Sequence, residues 1–352
     1  MQEVAGSIPV TSTKFKAPSY GAFSLVKIKM KILIVSLDNV GDTLISLGVY
    51  RALRAQPGVE PAFWTKEYSR DAIPLAGEGI EHYHCDPFWD RSPGKKKGGL
   101  AAYFRTLLAI RRAGFDAAII LHGNWRKNLS CLLAGIPRRY AVKGAFATDR
   151  VRTGEEDAHI LDSSRKLVTA ALGKDPGELR YSVSPSRFGE SPRTAALFSS
   201  GSWAVVHPFS GNPKRNLPLE AWNGVLKLFE SRKMRVLVNA GPGEKELFDK
   251  VCPGDGGRVF SCDLDLDIKN LAFAVSRAAI FVGNNSGPLH LASALGTPCL
   301  GIFQESWIKK ISPRGQFLPE LAVFKDEPAE ISAGELLAKT EKLLLIRGPA
   351  AL

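Results

Sequence analysis

Short apolar segments rich in Val, Ile and Leu recur along this sequence. Each closes in glycine or small polar residues and leads into a stretch with helical periodicity. This alternation narrows the fold more than any other feature, because neighbouring parallel strands need crossover helices between them. The first strand is expected over 31–37 (KILIVSL), followed by Asp38-Asn39-Val40-Gly41-Asp42 and a helix over about 43–55. Strands at 60–65 and 117–121 and helices at 100–113 and 157–172 follow, the last ending at Gly173. The polar, proline-bearing stretch 174–192 reads as a linker. The same pattern then restarts, with strands at 203–207, 235–240, 279–283 and 298–303 and helices at 219–231, after Gly243 and at 288–295. A chain of 352 residues exceeds one ordinary core. The expectation is therefore α/β, with two domains over 30–185 and 186–352 whose parallel sheets face a central cleft. In such sheets ligands gather beyond the carboxyl ends of the strands.

The formal net charge is +12, from 47 Lys plus Arg against 35 Asp plus Glu, which favours anionic partners. The cations are scattered. Their one local run is Lys95, Lys96 and Lys97, and no aromatic-interleaved basic stripe suggests nucleic acid. Five cysteines without a C-x-x-C pair argue against a disulfide framework and fit a reducing cytoplasm. His82 and His84 closely precede Cys85, but no further ligand cluster accompanies them, so no metal site is predicted. No apolar run of about eighteen residues occurs, so membrane contact is expected to be peripheral at most. Residues 1–29 lack the apolar core of a secretory signal and read as a non-native or disordered extension, with Met30 as the expected biological start.

The segment Phe281-Val-Gly-Asn-Asn-Ser-Gly-Pro-Leu-His290 ends a strand in small residues and opens a helix with proline, which suits a first helical turn. Ser286 and Gly287 would leave backbone N–H groups open at the positive helix end, a site for a phosphate. Taken alone, Asn285 or Ser286 reads rather as the cap of a core helix, and His290 as a core histidine. Beyond another strand, His207-Pro-Phe-Ser-Gly-Asn-Pro-Lys-Arg-Asn-Leu-Pro218 offers Ser210, Lys214 and Arg215 to phosphate oxygens; its bland alternative is a solvated turn. In the first half, Asp42 stands at a helix start on the cleft side, either as a dipole partner or as a general base, with Asp38 as a competing candidate.

Taken together from Met30 to about Gly315, these pieces resemble glycosyltransferase family 9, the bacterial heptosyltransferases of the lipopolysaccharide inner core. The resemblance is carried by the opening strand with Gly41-Asp42, by Leu121-His-Gly123 with Arg126 and Lys127, and by His207 to Pro218. Ala240-Gly-Pro-Gly-Glu244 and the long signature Gly283 to Gly296 complete it. It implies the GT-B architecture of two Rossmann-like domains, and an inverting, metal-independent transfer with no cofactor. The donor would be a nucleotide diphosphate sugar, in this family ADP-heptose, and the acceptor an acidic glycolipid reached in the cytoplasm or at the inner-membrane face. By the same resemblance Asp42 is the base. Ser210, Lys214, Arg215, Glu244, Asn285, Ser286, Gly287 and His290 belong to the donor site, Glu244 as a ribose ligand. Arg126 and Lys127, with the lysine run, are acceptor contacts. Asn285 stands where the family has aspartate, Leu217 where it has tryptophan, and Phe303-Gln-Glu-Ser-Trp307 replaces an F-G-P-T-D-P-like stretch. These departures leave open another donor sugar or a homologue that binds without transfer. A dinucleotide oxidoreductase is disfavoured, since no G-x-G-x-x-G follows the first strand.

Overall fold

The computed structural model describes residues 29–90, 99–152, 159–184, 191–252 and 258–346. Residues 1–28 of the expected extension, the lysine run at 95–97 and the domain boundary at 185/186 lie outside the described residues.

The first lobe is built from β1 (Met30–Ser36), α1 (Val40–Arg54), β2 (Val59–Thr65), β3 (His82–His84), α2 (Leu100–Ala113) and β4 (Ala117–Ile120). It continues with α3 (Trp125–Leu133), β5 (Arg138–Ala141), β6 (Asp149–Arg150) and α4 (Ile160–Leu172). The second lobe opens with α5 (Pro192–Phe198), β7 (Trp203–His207), α6 (Trp222–Ser231), β8 (Arg235–Val238), α7 (Pro242–Val251) and β9 (Arg258–Phe260). It closes with α8 (Ile268–Arg277), β10 (Ile280–Asn284), α9 (Gly287–Leu295), β11 (Cys299–Gln304), α10 (Glu305–Ile311), β12 (Glu320–Phe324) and α11 (Ala333–Leu344).

Each lobe holds one parallel six-stranded sheet, in the orders β3-β2-β1-β4-β5-β6 and β12-β11-β10-β7-β8-β9. The fold is α/β as the alternation predicts. In both sheets the direction of winding reverses beside the first strand, between β1 and β4 and between β7 and β10. A crevice therefore opens at the carboxyl ends of those four strands.

The central strands are buried on both faces, which is why they read as continuous β-branched runs. In β1, Ile32 and Ile34 face α1 and α4, while Leu33 and Val35 pack with Trp64, Tyr103 and Ile110 under α2. Helix α1 is apolar on most sides because it lies between its own sheet and α9, and one hydrophobic cluster runs from Ile32 and Leu47 through to Phe281 and Leu289 of the second lobe. Polar ties reinforce that seam. Val183 N–H donates to Ala294 O at 3.0 Å, His159 Nε2 lies 2.8 Å from Ser312 O, and Arg314 pairs with Asp162 at 2.8 Å. Gly296 ends α9 at φ 79°, a left-handed conformation that glycine adopts without strain.

Candidate active site

Asp42 sits in the first turn of α1, where its Oδ2 accepts the backbone N–H of Asn39 at 3.0 Å and so caps the helix. Its Oδ1 lies 3.7 Å from His122 Nε2 in the loop after β4. Burial raises the carboxyl above the usual aspartate range; the neighbouring His122 opposes the rise and the charge of Asp38 adds to it. A carboxylate made more basic in this way is a better proton acceptor.

Asp38, the competing base, is already engaged. Lys127 Nζ donates to its Oδ2 at 2.6 Å and to the carbonyls of Leu121 and His122 at 3.1 and 3.3 Å. Lys127, expected from the resemblance to contact an acceptor, is thus engaged with Asp38 and two carbonyls. Its side chain is only 5% exposed, and one carboxylate and two carbonyls compensate the buried ammonium. Arg126, by contrast, is exposed, with its guanidinium 4.8 Å from the centre of the Trp125 ring.

The opposite wall is the N-terminus of α9. Ser286 is the N-cap residue, yet its hydroxyl makes no capping bond, and its Oγ is buried without a hydrogen-bond partner. Together with the first-turn amides, which have no acceptor inside the helix, it forms an anion-accepting end. The walls meet directly. A methyl group built on Gly41 would lie 3.4 Å from Gly287 Cα and 3.5 Å from His290 Cδ2, so glycine at both helix starts permits a close backbone approach between the lobes. His290 is buried behind that contact with Nδ1 2.8 Å from the Tyr181 hydroxyl; burial lowers its pKa to about 3, which keeps the ring neutral.

The loop after β7 leaves the carboxyl edge of the second sheet, the edge from which α9 also starts. Ser210 Oγ donates to Asn216 Oδ1 at 2.7 Å, Lys214 is exposed, and the Arg215 guanidinium lies 4.6 Å from the centre of the Trp307 ring on α10. Asn284, fully buried at the end of β10, holds this loop: its Nδ2 donates to Pro208 O at 2.5 Å and its Oδ1 accepts the Leu217 N–H at 3.3 Å. Asn285 is half-buried, its N–H donating to Ile302 O at 3.0 Å. Beyond the ends of β7 and β8 lies a cavity of about 340 Å³, lined by His207, Asn239, Gly241, Glu244 and Ser261 among others. Glu244 Oε2 accepts the Gly241 N–H at 2.8 Å, which fixes the carboxylate at the start of α7. His207 Nδ1 lies 2.8 Å from Asn239 O, and burial lowers its pKa.

The profile of glycosyltransferase family 9 (heptosyltransferase) matches residues 103–321. The chain belongs to glycosyltransferase family 9. A Haemophilus influenzae protein named as a glycosyltransferase is 30% identical over 296 residues, covering 78% of this chain and 83% of that one. The fold is similar to E. coli ADP-heptose LPS heptosyltransferase II, with a TM-score of 0.69 and 18% identity over 90% of this chain and 99% of that one. It is equally similar to E. coli heptosyltransferase WaaC with ADP, at a TM-score of 0.70 and 16% identity over 89% and 100%. The two lobes thus have the GT-B arrangement, and the family 9 chain is a glycosyltransferase.

Among the described residues of this family 9 glycosyltransferase, no group of three or more His, Cys, Asp or Glu side chains is placed to hold a metal ion, and no helix is long and apolar enough to cross a membrane. The contact of Gly41 with Gly287 and His290 joins the helix start that carries Asp42 to the one that carries Ser286. Ser210 and Arg215 follow the carboxyl end of β7, Asn285 follows that of β10, Glu244 lines the cavity beyond β7 and β8, and Lys127 is engaged with Asp38. Sequence reasoning missed His122, Asn284, Asn239 and Trp307. The strand-end position of Asn284 and Asn239 was the available signal for two of them. Nothing local marked Trp307 as the platform of Arg215.

Proposed function

We propose that this glycosyltransferase moves a heptose-like sugar, with inversion and without a metal ion, from a nucleotide diphosphate donor such as ADP-heptose to a lipopolysaccharide inner-core acceptor. The observation that carries the reading is the contact of Gly41 with Gly287, which sets the basic carboxylate of Asp42 against an α9 terminus whose Ser286 hydroxyl lacks a partner.

Asp42 takes the proton of the acceptor hydroxyl as its oxygen attacks the anomeric carbon. The bond from that carbon to the diphosphate oxygen breaks, and the electron pair leaves with the nucleoside diphosphate. Negative charge grows on the leaving group, so the Ser286 hydroxyl, the Gly287 amide and Arg215 stabilise the transition state more than the ground state. Stacking on Trp307 holds the guanidinium for a bidentate contact. The cavity between His207 and Glu244 has room for a nucleoside, with the fixed Glu244 carboxylate as an acceptor for ribose hydroxyls. Asn285 offers a neutral amide to the donor sugar, and exposed Arg126 a cation to acidic groups of the acceptor.

The test is turnover of labelled ADP-heptose with a soluble inner-core oligosaccharide. Wild type is expected to form product, and Asp42→Asn to lose about 10²–10⁴-fold in kcat while its donor Kd stays within about twofold. Near-normal turnover by the variant would remove Asp42 from the role of base. Donor binding without any product would favour a non-transferring homologue.

A further inference from the structure

Helices α2 and α3 cover the outer face of the first lobe, on the side of its sheet away from α1. Both turn apolar side chains outward. On α2, Leu100, Phe104 and Leu108 recur every four residues along the exposed side, and on α3, Trp125 stands two turns before the adjacent Leu132 and Leu133; all six are 40 to 56% exposed. Helix α3 is inverted relative to an ordinary surface helix, since it buries Lys127, Asn128, Ser130 and Cys131 and presents Trp125, Leu132 and Leu133 to solvent. Six of the fourteen exposed large hydrophobic side chains among the described residues lie on these two helices, so the patch is not the usual scatter.

Charge identifies the occupant. Neither helix contains an Asp or Glu, while Arg105, Arg111, Arg112 and Arg126 are all exposed on them. None of the four has a carboxylate partner among the described residues; Arg111 donates to Leu133 O at 3.3 Å, which ties the two helices together. An apolar stripe interleaved with unpaired guanidinium groups matches the boundary between anionic headgroups and acyl chains. A second copy fits poorly, because a two-fold contact through this face would set the arginines of one copy against those of the other with no acid between them.

We infer that the α2–α3 face docks this glycosyltransferase onto an anionic lipid bilayer. The inference rests on the proposed lipid-borne acceptor, and it explains how the site reaches it. Trp125 and Arg126 lie at the start of α3, immediately after the β4 loop that brings His122 to Asp42. Docking through α2 and α3 therefore puts the mouth of the crevice at headgroup level, where an acceptor sugar projects from the membrane.

The test is co-sedimentation of the full chain with vesicles of phosphatidylethanolamine containing roughly 30% phosphatidylglycerol, and with phosphatidylcholine vesicles. Wild type is expected to partition onto the anionic vesicles, less so at high salt, and to leave phosphatidylcholine largely unbound. Phe104→Glu/Leu108→Glu is expected to lose about tenfold or more in partitioning, since two exposed anchors are replaced by anions. The same variant should retain wild-type turnover with the soluble oligosaccharide acceptor, so a failure of docking is told apart from a failure of the proposed transfer. Equal partitioning of wild type and variant, or no binding by wild type, would overturn the inference. So would a wild-type dimer that the variant converts to monomer in sedimentation velocity, which would make this face a contact between copies.

Discussion

Replacing Lys127 with Met tests the electrostatic design around Asp42. The ammonium pairs with Asp38 at 2.6 Å and donates to two carbonyls, with 5% of its side chain exposed. Removing one partner of a buried pair costs about 3–5 kcal/mol. Asp38 retains 23% exposure, so water partly solvates the stranded carboxylate and a loss of about 2–4 kcal/mol is expected. The change also reaches Asp42. Lys127 lowers the Asp42 pKa and Asp38 raises it, so losing the cation while keeping the anion moves it further up. The base must be ionised to act, and activity therefore rises with pH through its pKa. A higher pKa displaces the acid limb of kcat/KM to higher pH. Urea denaturation and a pH–rate profile of Lys127→Met would measure both effects. Asp38→Asn/Lys127→Met, which removes both charges, should recover much of the stability and return the limb toward its original position. A single variant within about 0.5 kcal/mol of wild type, with an unmoved acid limb, would show that Lys127 is solvated and unconnected to the base.

Three further outcomes follow from the same geometry. His122→Gln removes a group that lowers the Asp42 pKa, so the acid limb of kcat/KM should move to higher pH; a limb moving to lower pH would contradict the pairing. Arg215→Ala should weaken nucleoside diphosphate binding by about 1.5–3 kcal/mol and Trp307→Ala by about 0.5–2 kcal/mol, and unchanged calorimetric affinities would place the phosphate site elsewhere. The folded-state pKa of His290, about 3, lies below its ordinary 6.5, so the unfolded chain takes up the proton first as pH falls. Its contribution to stability is present above about 6.5 and is lost as pH falls toward 3. His290→Gln should flatten stability over that window, and parallel loss in wild type and variant would refute this.

The central strands were legible because burial on both faces demands uninterrupted β-branched runs, as in 31–37 and 203–207. Strands β3, β5, β6, β9 and β12 were not, because His82–His84, Arg138–Ala141, Asp149–Arg150, Arg258–Phe260 and Glu320–Phe324 are short or partly polar, away from the middle of their sheets. The glycine-bearing strand-to-helix turns at Gly41 and Gly287 are local in sequence, so both walls of the crevice could be named in advance. The pairings that tune them are not local. Lys127 and Asp38 are 89 residues apart, and adjacent Arg126 and Lys127 look alike in sequence although one is exposed and the other enclosed. Only the sheet order, which sets β4 beside β1, brings Lys127 and His122 to the first wall.

The central claim is that one crevice holds a diphosphate against the α9 terminus and faces it with Asp42. A crystal structure of the full chain with ADP measures this directly. The account predicts diphosphate oxygens within hydrogen-bond reach of the Ser286 hydroxyl and the Gly287 amide, and the nucleoside between His207 and Glu244. A diphosphate bound away from α9, with the Ser286 hydroxyl still unpartnered, would contradict it.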